Sequence, residues 1–330
     1  MEQHTPPQRA AGSRRTAGSG TEGSRPGWLA GRPRLLVGTA CAAALAVALA
    51  AGFFSTAEAR TTMAATGFIA GVPGAGGSAS ASAGPNASAP ATAPVAGIDE
   101  ALDSKINAVL EANSQYQIGV ALMDVSSGAG SANDVHEYGV RDAFVAASTA
   151  KVLAAAAYYH LVETGAATLD DPMGAYTSGF QLREMIQQSD NDSWSLIMNA
   201  VGHAELTQYA ASIGVDYDPE TNTLTPAEMA TVLAGVYSGT LLNAEDTAQL
   251  LSYMQDTNYE TLIPAAVPEG ITVFHKYGLL GPELHDVGIL AQGDRAYALV
   301  IYTKGQGLSD DPERTEVIHQ ITKTVTDALF

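Results

Sequence analysis

The chain has 330 residues, a formal net charge of −19 and one cysteine, Cys41. A single thiol excludes a disulfide framework and a thiolate metal site, and neither a metal nor another cofactor is expected. Residues 1–34 carry six Arg against two Glu, which leaves −23 on the remainder; a region so acidic does not bind nucleic acid through phosphate contacts.

In chain order, residues 1–34 read as a basic cytoplasmic tail. Leu35–Phe54 comes next without a charged residue, at about bilayer-spanning length, so residues 35–55 predict a membrane anchor or signal segment. Arg25, Arg32 and Arg34 before it favour a cytoplasmic N-terminus. Ala57-Glu58-Ala59 after it suits signal peptidase, so cleavage and retention both stay open. Either outcome places the remainder of the chain outside the cytoplasm, membrane-anchored or secreted. Residues 56–97 are mostly Gly, Ala, Ser, Pro and Thr and predict a disordered linker.

Residues 98–330 carry the pattern of a folded domain. An amphipathic helix is expected over Ile98–Ala112, then strands at Gln117–Asp124 and His136–Tyr138. An Ala-rich helix runs from Ser148 to about Glu163, and further helices fill 180–256. Strand patterns return at Ile271–His275, Asp286–Ala291 and Ala296–Thr303, and a helix closes the chain over Glu313–Leu329. Strands at both ends with helices between them imply an α+β fold.

Three short motifs carry chemistry. In Ser148-Thr149-Ala150-Lys151 the i, i+3 spacing puts the amine on the hydroxyl's side of a helix start, and the apolar residues after Lys151 favour a neutral amine. A serine needs such a base to become a nucleophile. The ordinary alternative is an N-cap serine and a surface lysine. Ser189-Asp190-Asn191 falls at a helix junction, where a hydroxyl could pass a proton and an amide could hold a carbonyl, or where all three simply cap and turn. Lys276-Tyr277-Gly278 ends a strand pattern and could clamp a peptide-like substrate, or be a solvated strand end. His275, His285 and Asp286 flank the late strands and read as structural more readily than as a dyad. His160, in the Ala-rich helix, is expected to be satisfied in packing.

The order S-x-x-K, S-D-N, K-x-G resembles the signature of class A β-lactamases and penicillin-binding proteins. Thr225–Ala230, Ile263-Pro264-Ala265 and His285–Ile289 look like the same family. The resemblance covers nearly all of residues 98–330. It implies an antiparallel sheet flanked by helices with a mostly helical subdomain. It also implies a small-molecule substrate, either a β-lactam or a cell-wall peptide. By this resemblance Ser148 is the acylated nucleophile, Lys151 its proton acceptor, and Ser189 the shuttle to the leaving nitrogen. Asn191 would hold the substrate amide, Lys276 would supply positive potential, and the N–H groups of Ser148 and Leu279 would form the oxyanion hole.

Two features depart from the family. Tyr277 stands where the family has Thr or Ser, which puts carboxylate recognition in doubt. Only 36 residues separate Ser189 from Thr225, and no E-x-x-L-N lies between them, so the Ω-loop glutamate that activates the deacylating water looks missing. Glu220, the nearest acid, reads as a turn residue. The expectation is therefore a β-lactamase-like serine hydrolase with slow deacylation. A D-alanyl-D-alanine carboxypeptidase-like enzyme and a non-catalytic binding module on the same fold are the alternatives.

Overall fold

The computed structural model describes residues 97–126 and 134–330; the expected tail at 1–34, the apolar segment at 35–55 and all but the last residue of the linker at 56–97 lie outside the described residues. Among the described residues no helix is long and apolar enough to cross a membrane.

The elements are α1 (Glu100–Ala112), β1 (Gln117–Asp124), β2 (His136–Gly139), β3 (Phe144–Val145), a 3-10 turn (Ala147–Ala150) and α2 (Lys151–Glu163). The helical subdomain comes next with β4 (Pro172–Met173), β5 (Tyr176–Thr177), α3 (Ser178–Gln187), α4 (Asn191–Val201), α5 (His203–Ser212) and β6 (Thr223–Leu224). It continues through α6 (Pro226–Tyr237), α7 (Ala244–Tyr253) and α8 (Ile263–Ala266). The chain then returns as β7 (Thr272–Leu280), β8 (Glu283–Gln292), β9 (Arg295–Lys304) and α9 (Asp311–Leu329). The fold is α+β.

The main sheet runs β2-β1-β9-β8-β7, antiparallel throughout, so the first and last parts of the domain interleave at its centre. The central strands are apolar on both faces because both faces are covered. Along β9, Ala298, Val300 and Tyr302 point to the helical subdomain, while Tyr297, Leu299 and Ile301 pack with Leu102, Ile106, Ile318 and Ile321 of α1 and α9. α2 is buried on every side from Lys151 to Tyr159, and its alanines let neighbouring helices approach closely.

Caps set the helix starts. The Asp99 carboxylate accepts the N–H groups of Ala101 and Leu102, which begins α1 two residues later than its sequence pattern suggests. Thr225 and Glu228 form a capping box at α6, with Pro226 in its first turn. The strand carrying Lys276 does not end at His275. It runs on to Leu280, because Gly281, at φ 58°, turns the chain tightly enough for Leu280 to pair with Glu283. His160 is exposed rather than packed inside, with its ring 5.4 Å from that of Tyr209.

Candidate active site

Ser148 lies in a 3-10 turn and not in the first α-helical turn expected for it. The cause is Ala147, whose φ of 51° is unusual for a residue with a Cβ. Asn222 holds this shape from both sides: its carbonyl accepts the N–H of Ala146 at 2.7 Å, and its Nδ2 donates to the Ala147 carbonyl at 3.1 Å. The short β3–β6 pairing brings Asn222 there. Thr149 Oγ1 donates to the Ala146 carbonyl at 2.7 Å and ties the far side of the turn.

Lys151, 3% exposed, directs its ammonium to the Ser189 carbonyl at 2.7 Å, the Asn191 Oδ1 at 2.8 Å and, more loosely, the Ser189 Oγ at 3.4 Å. It makes no hydrogen bond to Ser148, although both line one cavity. Burial lowers its pKa to about 8, against the opposing pull of Asp190. Its place at the N-terminus of α2 also disfavours the cation. Lys276, fully buried, donates to the Ser189 Oγ at 2.9 Å and to the Tyr277 carbonyl at 3.0 Å. Burial and the nearby Lys151 charge push its pKa well below the usual lysine range. Ser189 is thus bracketed by two amines, and it too has a positive φ, 54°.

The cavity measures about 140 Å³. Ser148, Lys151, Asn191 and Asn222 form its polar part; Ala147, Trp194, Leu279 and Leu280 form its apolar wall. β7 closes one side. Gly278 permits this contact, since a Cβ there would lie 3.1 Å from the Ala146 carbonyl oxygen and 3.2 Å from the Ala147 Cβ. The His275 N–H points off the open edge of the sheet to the Met254 carbonyl at 2.7 Å. By strand alternation the N–H of Leu279, four residues on, points off the same edge, toward the cavity that Leu279 lines.

Tyr277 is not part of the cavity wall. Its ring rests against Tyr259, 4.8 Å between centroids, and covers the Lys276 ammonium at 4.1 Å. Glu220 is turned away from the cleft, its side chain 79% exposed and bonded to His203 at 2.8 Å. No carboxylate lines the cavity among the described residues.

His275 and Asp286 lie on the opposite face of the sheet, buried in mid-strand and not at strand ends. His275 Nδ1 is 2.9 Å from Asp286 Oδ1 and its Nε2 is 3.1 Å from Glu260 Oε1. Burial alone would push its pKa down, but the two carboxylates outweigh it and raise it to about 9. His285 is separate from this cluster: Nε2 donates to the Val145 carbonyl at 2.9 Å while Nδ1 accepts the Thr303 N–H at 3.1 Å. Asn222, Trp194 and Leu280 carry no motif. Only the Pro-Glu-Thr-Asn turn pattern, with Asn tolerant of positive φ, could have flagged Asn222.

An S-x-x-K turn packed on an edge strand, with a second serine between two lysines, on a five-stranded sheet, is the arrangement of the β-lactamase and penicillin-binding fold. The chain belongs to the β-lactamase enzyme family, whose model matches residues 101–329. It is 27% identical over 257 residues to Beta-lactamase OXY-2 of Klebsiella oxytoca, covering 67% of this chain and 87% of the relative. It is also 27% identical over 259 residues to a beta-lactamase of Proteus vulgaris, covering 67% and 85%. A mutant of PBP-A, solved as an acyl-enzyme complex with penicillin G, superposes with a TM-score of 0.62 at 25% identity, covering 69% of this chain and 96% of its own. A beta-lactamase structure from Xanthomonas campestris shares the fold at a TM-score of 0.62 and 21% identity, with 70% and 98% covered.

Proposed function

We propose that the domain is a serine hydrolase that forms an acyl-enzyme on Ser148 with β-lactams or other reactive amides and esters, and releases it slowly. The observation that carries this reading is that Lys151 and Asn191 line one cavity with the half-buried Ser148 while Lys151 is bonded to Ser189, which in turn is bonded to Lys276. Lys151 is turned to Ser189, and catalytic hydrogen bonds commonly tighten onto the nucleophile only when substrate binds. Neutral Lys151 takes the Ser148 proton as Oγ bonds to the carbonyl carbon. The N–H groups of Ser148 and Leu279 stabilise the developing oxyanion. Ser189, fed by Lys276, returns a proton to the leaving group. The absence of a carboxylate among the described lining residues leaves deacylation without a dedicated base, which favours a long-lived adduct.

Intact-mass spectrometry of the protein after exposure to millimolar penicillin G, and separately to a fluorophosphonate, tests this. The expected result is one adduct with each reagent, lost in Ser148→Ala, with the penicillin adduct decaying over minutes or longer. A wild-type protein modified by neither reagent would overturn the reading.

A further inference from the structure

The second lysine of the site is unavailable to substrate. An ammonium has three donors. Those of Lys276 face the Ser189 Oγ at 2.9 Å, the Tyr277 carbonyl at 3.0 Å and the Tyr277 ring at 4.1 Å, and the residue is fully buried. Lys151, the one cation in the cavity wall, is likewise engaged by Ser189 and Asn191. The exposed wall of the cavity holds no cation: Leu280 is 56% exposed and Leu279 37%, Trp194 also lines it, and its exposed polar member is the neutral amide of Asn191. A substrate carboxylate entering here would leave water without a charge-assisted partner, which is costly. The strongly acidic chain beyond residue 34 adds a repulsive field against any anion.

We infer that the site selects neutral acyl donors, short apolar esters above all, and discriminates against substrates that carry a carboxylate near the scissile bond. This rests on the acyl-enzyme reading above. The cavity of about 140 Å³ is close to the volume that accommodates a benzene ring, so a short acyl chain fills it against Leu279, Leu280 and Trp194. Ser148 Oγ bonds to the ester carbonyl carbon as its proton passes to Lys151. The carbonyl–oxygen bond to the alcohol then breaks, and the departing alkoxide takes that proton through Ser189. Water adds to the acyl-enzyme, the carboxylic acid leaves, and Ser148 regains its proton. Tyr277 contributes from outside the cavity wall: its ring takes up the third donor of the Lys276 ammonium, at 4.1 Å.

The test uses a matched pair, 4-nitrophenyl butyrate and 3-carboxy-4-nitrophenyl butyrate, with the full domain. The expected kcat/KM is at least about tenfold higher for the neutral ester. Leu280→Lys, a change at an exposed rim position, narrows that ratio. Equal or better turnover of the carboxylated ester through Ser148 overturns the selectivity but leaves the acyl-enzyme reading intact. So does failure to hydrolyse either ester in a protein that is still modified at Ser148 by the fluorophosphonate. If Ser148→Ala hydrolyses both esters at the wild-type rate and the wild type carries no adduct, the acyl-enzyme reading itself has failed.

Discussion

Replacing Asp190 by Asn tests the role of Lys151 with little structural disturbance. The Asp190 carboxylate caps α4 by accepting the Ser193 N–H at 2.7 Å, and an Asn side-chain oxygen can accept the same bond. What the change removes is the negative charge that holds the Lys151 pKa up against burial. In the wild type that pKa is about 8, a fall from 10.5 worth about 3 kcal/mol of lost preference for the cation. A base with that pKa is roughly one-tenth neutral at pH 7 and about nine-tenths neutral at pH 9. Acylation by a neutral ester, followed by stopped flow or rapid-quench mass spectrometry, should therefore rise about tenfold over that range, with a midpoint near pH 8. In Asp190→Asn the midpoint moves down, so the variant acylates faster at pH 7 and no faster at pH 9. A flat profile, or a midpoint that stays in place or rises, would refute the assignment of Lys151 as the base.

The geometry sets two further outcomes. His275, with its pKa raised to about 9 by Asp286 and Glu260 despite burial, stabilises the fold fully below its ordinary value of about 6.5, and that contribution is lost as the pH climbs through 9. The stake is roughly 3 kcal/mol. Urea melts between pH 6 and 9.5 should show the stability advantage of the wild type over His275→Gln shrinking as the pH rises, the opposite contribution of the buried Lys151 and Lys276 being common to both proteins. A difference that stays constant or widens over that window would contradict the cluster's charge assignment. At Gly278 an added Cβ meets the Ala146 carbonyl oxygen and Thr149 Cγ2, each at 3.1 Å, and must press on the turn that carries Ser148. Gly278→Ala should cost on the order of 1 kcal/mol in a chemical melt, as overpacking does, while slowing acylation by tenfold or more. Full acylation speed in a folded variant would show that the contact does not position the turn.

The order of the three motifs carried more information than any of them alone. The apolar runs Gln117–Asp124 and Ala296–Thr303 read as strands because both faces of the sheet are covered, and β1 keeps the bounds its pattern gives. The end of β7 was hidden for another reason: Leu279 and Leu280, both exposed, look like loop residues after a glycine, yet the Gly281 turn lets them pair. The 3-10 turn at Ser148 was not legible either, since its cause, the φ of Ala147, is imposed by Asn222 from 75 residues away. The His275, Asp286 and Glu260 cluster depends on strand register, which decides that His275 and Asp286 share a face. Tyr277 was visible as a departure from the family pattern, but only the sheet edge shows that its ring covers Lys276 and does not fill the cleft.

The two serines of the site are both set by backbone strain, and the restraints on that strain tie the halves of the domain together. A residue with a Cβ at positive φ costs on the order of 1 kcal/mol and persists only where its surroundings hold it. Ala147, just before Ser148, is held by Asn222 from the helical subdomain and by Gly278 from the sheet. Ser189 is held by the Lys151 ammonium on its carbonyl, while the flanking Gln188 carbonyl accepts Asn258 Nδ2 at 2.8 Å and the Asp190 N–H donates to Glu184 O at 3.1 Å. Lys151 therefore has two physical effects in one place: it orders the backbone that aims Ser189, and its burial there lowers its own pKa to about 8. A shorter or neutral replacement removes both at once. On the proposed reading, that coupling lets a lysine pointed at Ser189 also serve Ser148, because the amine that fixes the second serine already lies in the wall of the first one's cavity.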